Sequence, residues 1–118
     1  LHLSIRRQRQ MCIRDSTYTS AKAGVIAAGK TLARQLAPDG VRVNVVCPGN
    51  IHFPGGDWDQ KLKENQENVE RYIEAEVPMG RFGTPEEIAS CVCFLVSEQA
   101  SFLTGSCMIV DVGQTRLF

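Results

Sequence analysis

The run Val41-Arg42-Val43-Asn44-Val45-Val46-Cys47 is nearly continuously apolar and β-branched. A run of this composition suits a strand buried on both faces of a parallel sheet. The stretch before it has a different period. Apolar residues at Val25, Ile26, Leu32, Ala33 and Leu36 lie on one face of a helix,. Asp39-Gly40 ends that helix, and Pro48-Gly49 closes the strand. Helix, short loop and buried strand make half of a βαβ unit, so the chain is expected to be α/β. Ligands in such folds sit beyond the carboxyl ends of the strands.

Tyr18 and Lys22 stand four residues apart at the start of the helix. That spacing puts a phenol and an ammonium on one face, within reach of the same small molecule. A tyrosine that moves protons near neutral pH needs its ionised form favoured by about 4 kcal/mol relative to a free phenol, or roughly three pKa units. A cation one helical turn away supplies part of this bias, so the pair reads as a proton-transfer device.

With these motifs on the page, residues 17–118 resemble the C-terminal part of a short-chain dehydrogenase/reductase. The matching pieces are Tyr18-x-x-x-Lys22, Arg42-Val43-Asn44-Val45-Val46-Cys47-Pro48-Gly49, Gly80-Arg81-Phe82-Gly83-Thr84-Pro85-Glu86-Glu87-Ile88, and Leu103-Thr104-Gly105 leading into Ile109-Val110-Asp111. The resemblance implies the C-terminal part of a doubly wound, parallel-sheet (Rossmann-type) fold whose N-terminal nucleotide-binding half is missing. It makes Tyr18 the catalytic acid/base and Lys22 the holder of the nicotinamide ribose. Pro48 and Gly49 then pass beside the nicotinamide, and Ile51 falls where the family backbone meets the carboxamide. The implied cofactor is NAD or NADP, and the residues that choose between them belong to the missing half.

Two positions depart from the family pattern. Phe53 stands where a threonine or serine usually contacts the cofactor, five residues after the proline, and Asp111-Val112-Gly113 replaces Asp-Gly-Gly. The second change puts a β-branched side chain at a tight backbone position. The family's catalytic serine would fall near Ile5, with Ser4 one position away in a foreign context, so that role is not carried over.

Residues 6–16 show no apolar period and hold four arginines and two glutamines. Codon by codon they match the translation of a transposase-type sequencing-library adapter. Arg6 to Arg14, with Ser16, is therefore read as a sequencing artefact outside the fold, and Leu1 to Ile5 as artefact or stray sequence. The other reading is a basic, disordered arm for nucleic acid or a membrane surface. Residues 1–16 hold four arginines and Asp15 out of thirteen basic and thirteen acidic side chains, leaving nine basic against twelve acidic groups in residues 17–118, a net charge of about −3. That balance gives no electrostatic footprint for nucleic acid. No apolar stretch is long enough to span a membrane and no leader is recognised, which makes a cytoplasmic protein the expectation.

Cys47, Cys91, Cys93 and Cys107 form no C-x-x-C, and they are expected to be buried, reduced thiols; Cys12 lies in the suspect segment,. His2 and His52 are too isolated for a metal site, so no metal is assigned.

Between Gly49 and Gly80 the sequence carries Phe53-Pro54-Gly55-Gly56-Asp57-Trp58-Asp59 and then a polar helical run from Gln60 to about Glu76. The family has its substrate lid here. Phe53, Trp58, Val69, Tyr72 and Ile73 offer an apolar lining with Gly55-Gly56 as hinge; alternatively, Trp58 and Tyr72 anchor a surface helix on the core. Pro85 to Ser97 is expected as a helix capped by Thr84, burying Ile88, Val92, Leu95 and Val96, with Cys107 to Val110 as a second buried strand. In the family the outer surface of this helix and strand helps form a tetramer.

Together these features point to hydride transfer between a nicotinamide cofactor and a small-molecule carbonyl or alcohol, in a homo-oligomer, with the present chain an inactive fragment. A sugar epimerase or dehydratase with the same Tyr/Lys pair, or a non-catalytic cofactor-binding protein, are the alternatives.

Overall fold

A computed structural model describes residues 2–115, with side chains described from Tyr18 onward. Helix α1 spans His2–Leu36 and passes through a 3₁₀ turn, Ala37–Asp39, into Gly40, whose φ of 74° lets the chain leave the helix. Strand β1 is Val45–Pro48; helices α2 (Asp57–Glu64), α3 (Gln66–Glu76) and α4 (Pro85–Val96) follow, and β2 is Cys107–Val110. The strands form a two-stranded sheet. Val45 N–H donates to the Ser106 carbonyl and Gly49 N–H to the Val110 carbonyl, an unchanging offset that makes the pairing parallel, as the β-branched pattern predicts,.

Helix α1 is continuous through residues 6–16 although they show no apolar period. Residues 2–23 contain neither glycine nor proline, and arginine, glutamine, leucine and methionine propagate a helix readily,. The side chains of Met11, Cys12 and Ile13 lie outside the described residues, as does the packing expected of that segment.

The chain divides into two compact units. In the first, residues up to Val45 with Thr104–Ser106, the α1 helix meets the approach to β1. Gly29 is buried, and a Cβ there would lie 2.4 Å from Val45 Cγ2, so glycine is what admits the valine. The strand is shorter than Val41–Cys47 because side chains take over the ladder at its start. Asn44 Oδ1 accepts from Ser106 N–H (3.1 Å) and Oγ (2.6 Å), and Thr104 Oγ1 accepts from Val43 N–H (3.2 Å).

In the second unit, Val46–Leu103 with the chain from Cys107, buried Val69, Val77 and Phe82 form a core against which Trp58, Leu62, Tyr72, Ile73 and Val112 pack. The expected single run from Gln60 to Glu76 is two helices. Asn65, at φ −157°, ends α2 through its N–H and caps α3 by accepting Asn68 N–H at 3.0 Å, since its amide competes with the helical backbone,.

Helix α4 starts as expected. Thr84 Oγ1 accepts Glu87 N–H, the Glu87 carboxylate accepts Thr84 N–H, and Pro85 fills the first turn,. Its buried side is narrower than expected: Leu95 is buried and Ile88 half-buried, while Val92 and Val96 are exposed. The strands are also not enclosed on both faces, because a sheet of two strands has too few neighbours to cover them; Val43 and Val45 are half-buried and Ile109 exposed. Contrary to expectation, the thiols are not buried. Cys47 and Cys91 are half-buried, and Cys93 and Cys107 exposed.

Candidate active site

Tyr18 and Lys22 project from one face of α1, as their spacing predicts, with Lys22 Nζ 5.4 Å from the centroid of the Tyr18 ring. This is cation–π range. The phenol is 65 % exposed, and Lys22 forms no ion pair among the described residues. Both groups therefore remain available to a bound molecule.

The second unit holds the turn after β1. Pro48 ends the strand, and Gly49 is required by a close approach: a Cβ would lie 2.7 Å from Asp111 Cα. Asn50 is held twice, its N–H donating to Gln114 Oε1 (3.1 Å) and its Nδ2 to Tyr72 Oη (2.9 Å); Gln114 Nε2 donates to the same hydroxyl at 3.3 Å. Ile51 pairs in parallel with Gly83: Gly83 N–H donates to the Asn50 carbonyl and His52 N–H to the Gly83 carbonyl, each at 2.9 Å. These bonds use the peptide groups flanking Ile51, so its own N–H and C=O point to the opposite side. Neither is engaged by a backbone hydrogen bond among the described residues.

The residues expected to line a lid differ in their surroundings. Trp58 stacks on Tyr72 (5.0 Å) and meets Phe82 (4.5 Å), with Lys61 Nζ 4.2 Å over the indole. Trp58 and Tyr72 therefore anchor α2 and α3 to the core, and they also border a cleft of about 260 Å³ with Asn65, Asn68 and Val69. Phe53 is 46 % exposed and lies over Gly56. The Gly55-Gly56 turn is tied to α2: Asp59 Oδ2 accepts Gly55 N–H (2.8 Å) and Lys63 Nζ (2.7 Å), and His52 Nε2 lies 3.8 Å from Oδ1. The Lys63 hydrogen bond, followed by that from Gly55, holds the Asp59 carboxyl below its ordinary range,. Beyond β2, the Thr115 hydroxyl chiefly, with the N–H groups of Thr115 and Gly113, lowers that of Asp111.

Arg81 grips Glu87 with both guanidinium nitrogens, at 2.9 and 2.7 Å, and drives its carboxyl down to about 2, aided by Thr84 N–H. Sequence reasoning assigned no site role to Asn50, Gln114, Asp59, Gly83, Arg81 or Glu87. Arg81, Gly83 and Glu87 lie in a quoted motif, but nothing in one sequence shows that Gly83 pairs with Ile51. Among the described residues no three His, Cys, Asp or Glu side chains gather to hold a metal ion, and no helix is long and apolar enough to cross a membrane.

The enoyl-(acyl carrier protein) reductase family model matches residues 1–115. The chain is 38 % identical over 102 residues to 2-(S)-hydroxypropyl-CoM dehydrogenase 3 of Xanthobacter autotrophicus, covering 86 % of this chain and 40 % of the relative. It superposes on 4-hydroxyisoleucine dehydrogenase complexed with NADH (TM-score 0.76, 28 % identity, 87 % of this chain and 41 % of the other). It also superposes on L-sorbose reductase from Gluconobacter frateurii complexed with NADPH and L-sorbose (TM-score 0.75, 33 % identity, 86 % and 41 %). The chain thus spans about 40 % of the length of the proteins it matches, and its fold is part of their doubly wound α/β architecture.

Proposed function

The chain belongs to the short-chain dehydrogenase/reductase family, and from that premise we propose that it carries the catalytic portion of an oxidoreductase that interconverts a small-molecule carbonyl and its alcohol. The observation that carries this reading is the Tyr18–Lys22 pair on one face of α1, its phenol exposed and its ammonium 5.4 Å from the ring. NAD or NADP, when bound, supplies or accepts the hydride. During reduction the Tyr18 hydroxyl gives its proton to the carbonyl oxygen as the carbon receives hydride, and during oxidation the phenolate takes that proton back. Lys22, on the same face, would donate to the ribose hydroxyls.

The backbone after β1 fits a nicotinamide. A carboxamide carries one acceptor and one NH₂ donor, complementary to the outward N–H and C=O of Ile51,, and Pro48 and Gly49 would lie beside the ring. Phe53, Trp58 and Tyr72 belong to the lid over the substrate. The phosphates require a nucleotide-binding half outside these 118 residues, so the chain alone is inactive. NADH accompanies one structural relative and NADPH another, which keeps both cofactors within the proposal. A cytoplasmic homo-tetramer, with exposed Val92 and Val96 of α4 at the contact between copies, completes the reading.

The test is to titrate the full-length protein carrying this chain with NADH and NADPH by fluorescence, and to follow cofactor oxidation on a panel of ketones and keto esters. Binding of one cofactor with turnover of at least one carbonyl is expected. A protein that binds neither cofactor would refute the proposal.

A further inference from the structure

The segment between α3 and α4 is far more tightly fixed than a connecting loop needs to be. Arg81 donates to both carboxylate oxygens of Glu87 and to the Phe82 carbonyl (3.1 Å), while Glu87 Oε2 also accepts Thr84 N–H (2.9 Å). The peptide groups on both sides of Gly83 are thus clamped by one charged pair. Gly83 in turn makes the two backbone bonds that bracket Ile51. A Cβ on Gly83 would lie 2.9 Å from Ile51 Cδ1, so a side chain there would push the tip of Ile51 aside.

We propose that the Arg81–Glu87 pair, acting through Gly83, is the device that sets the direction of the Ile51 N–H and C=O toward the nicotinamide carboxamide, so that Arg81, Gly83 and Glu87 are positioning residues for the cofactor's reactive ring. This rests on the cofactor reading above. A single residue presenting both N–H and C=O recognises a carboxamide only while its peptide planes are fixed, because the two hydrogen bonds require one orientation. A bidentate guanidinium–carboxylate pair is the side-chain contact best suited to fixing a plane. The ionised form of Glu87 persists through the neutral range, since its carboxyl titrates only at about 2.

The distinguishing experiment compares two ligands in the full-length protein by calorimetric titration. One is the dinucleotide it binds, NADH or NADPH; the other is the same molecule without nicotinamide, ADP-ribose or its 2′-phosphate. Gly83→Ala and Arg81→Met are expected to weaken the dinucleotide about tenfold, roughly the loss of one net hydrogen bond, with the ADP-ribose ligand unchanged to within about twofold. Glu87→Gln keeps the helix cap, because glutamine serves in a capping box, but loses the ionic grip; it should show the same selective loss without a change in helix content. Arg81→Lys, which keeps charge but not the fork, should fall between wild type and Arg81→Met. Equal weakening of both ligands in Arg81→Met and Glu87→Gln would mean a merely structural role and overturn the inference. So would unchanged dinucleotide affinity, or a wild-type protein that binds the dinucleotide no more tightly than ADP-ribose. A wild-type protein that binds neither ligand would instead overturn the underlying cofactor reading, and this inference with it.

Discussion

Replacing Tyr72 with phenylalanine isolates one feature that sequence did not reveal, the hydroxyl that ties α3 to the chain beyond both strands. Tyr72 Oη accepts from Asn50 Nδ2 at 2.9 Å and from Gln114 Nε2 at 3.3 Å, both partly buried. Each such bond contributes about 0.5–1.5 kcal/mol net, and the longer one belongs at the low end, so Tyr72→Phe should cost about 1.5 kcal/mol. The ring remains, and with it the 5.0 Å stack on Trp58. Trp58 is the chain's single tryptophan, so urea unfolding at low temperature can be followed by its fluorescence. With a urea dependence of about 1.5 kcal/mol per molar, the midpoint should fall by about 1 M. Tyr72→Leu should fall further, by the additional 0.5–1.5 kcal/mol or so of an aromatic pair. In a double-mutant cycle, Tyr72→Phe and Asn50→Ala should couple by about 1 kcal/mol. A phenylalanine variant within about 0.2 M of wild type, with no coupling to Asn50, would refute the hydroxyl's role.

Thr84→Ala removes the side-chain acceptor of the α4 capping box and should cost about 1 kcal/mol in the same urea assay,. Val112 holds φ at +53°, which L residues rarely adopt, so Val112→Ala should be less stable than Val112→Gly by about 1 kcal/mol, the alanine keeping the strain that glycine relieves,. The Glu87 carboxyl lies near 2 instead of 4.5 because of Arg81 and Thr84 N–H, so its contribution to stability is fully present above about 4.5 and lost as pH falls through 2,. Unfolding midpoints of Glu87→Gln should converge on those of wild type across that window. Lys22→Ala in the full-length protein should weaken both cofactor binding and turnover, checked by titration and steady-state kinetics. The 118-residue chain alone should oxidise neither NADH nor NADPH with any carbonyl.

What sequence revealed and what it hid follow from the range of the interactions. The Tyr18–Lys22 pair, the Thr84 cap with Pro85, and the glycine that ends α1 are set within four residues of themselves, so spacing was enough to place them. The parallel pairing of β1 and β2 was legible from the valine-rich run before Pro48. The Asn65 break was also local, an asparagine three residues before the N–H it caps, but the surrounding polar period masked it. Asn50, Tyr72 and Gln114 meet across 22 and 42 residues of chain, and Ile51 meets Gly83 across a helical pair; no periodicity encodes such contacts. Burial failed for a different reason. A continuous apolar run reports the faces a strand can cover, and with two strands in the sheet Cys107 and Ile109 remain exposed.

The central claim, that Tyr18 is the proton-transferring acid/base, is tested most directly by Tyr18→Phe in the full-length protein. The variant keeps the ring that Lys22 covers and removes only the hydroxyl. Turnover of the best carbonyl substrate should fall by about 10²–10⁴-fold, the usual contribution of a positioned acid or base, while the Kd for NADH or NADPH stays within about threefold of wild type. A phenylalanine variant that turns over at close to the wild-type rate would contradict the assignment of Tyr18.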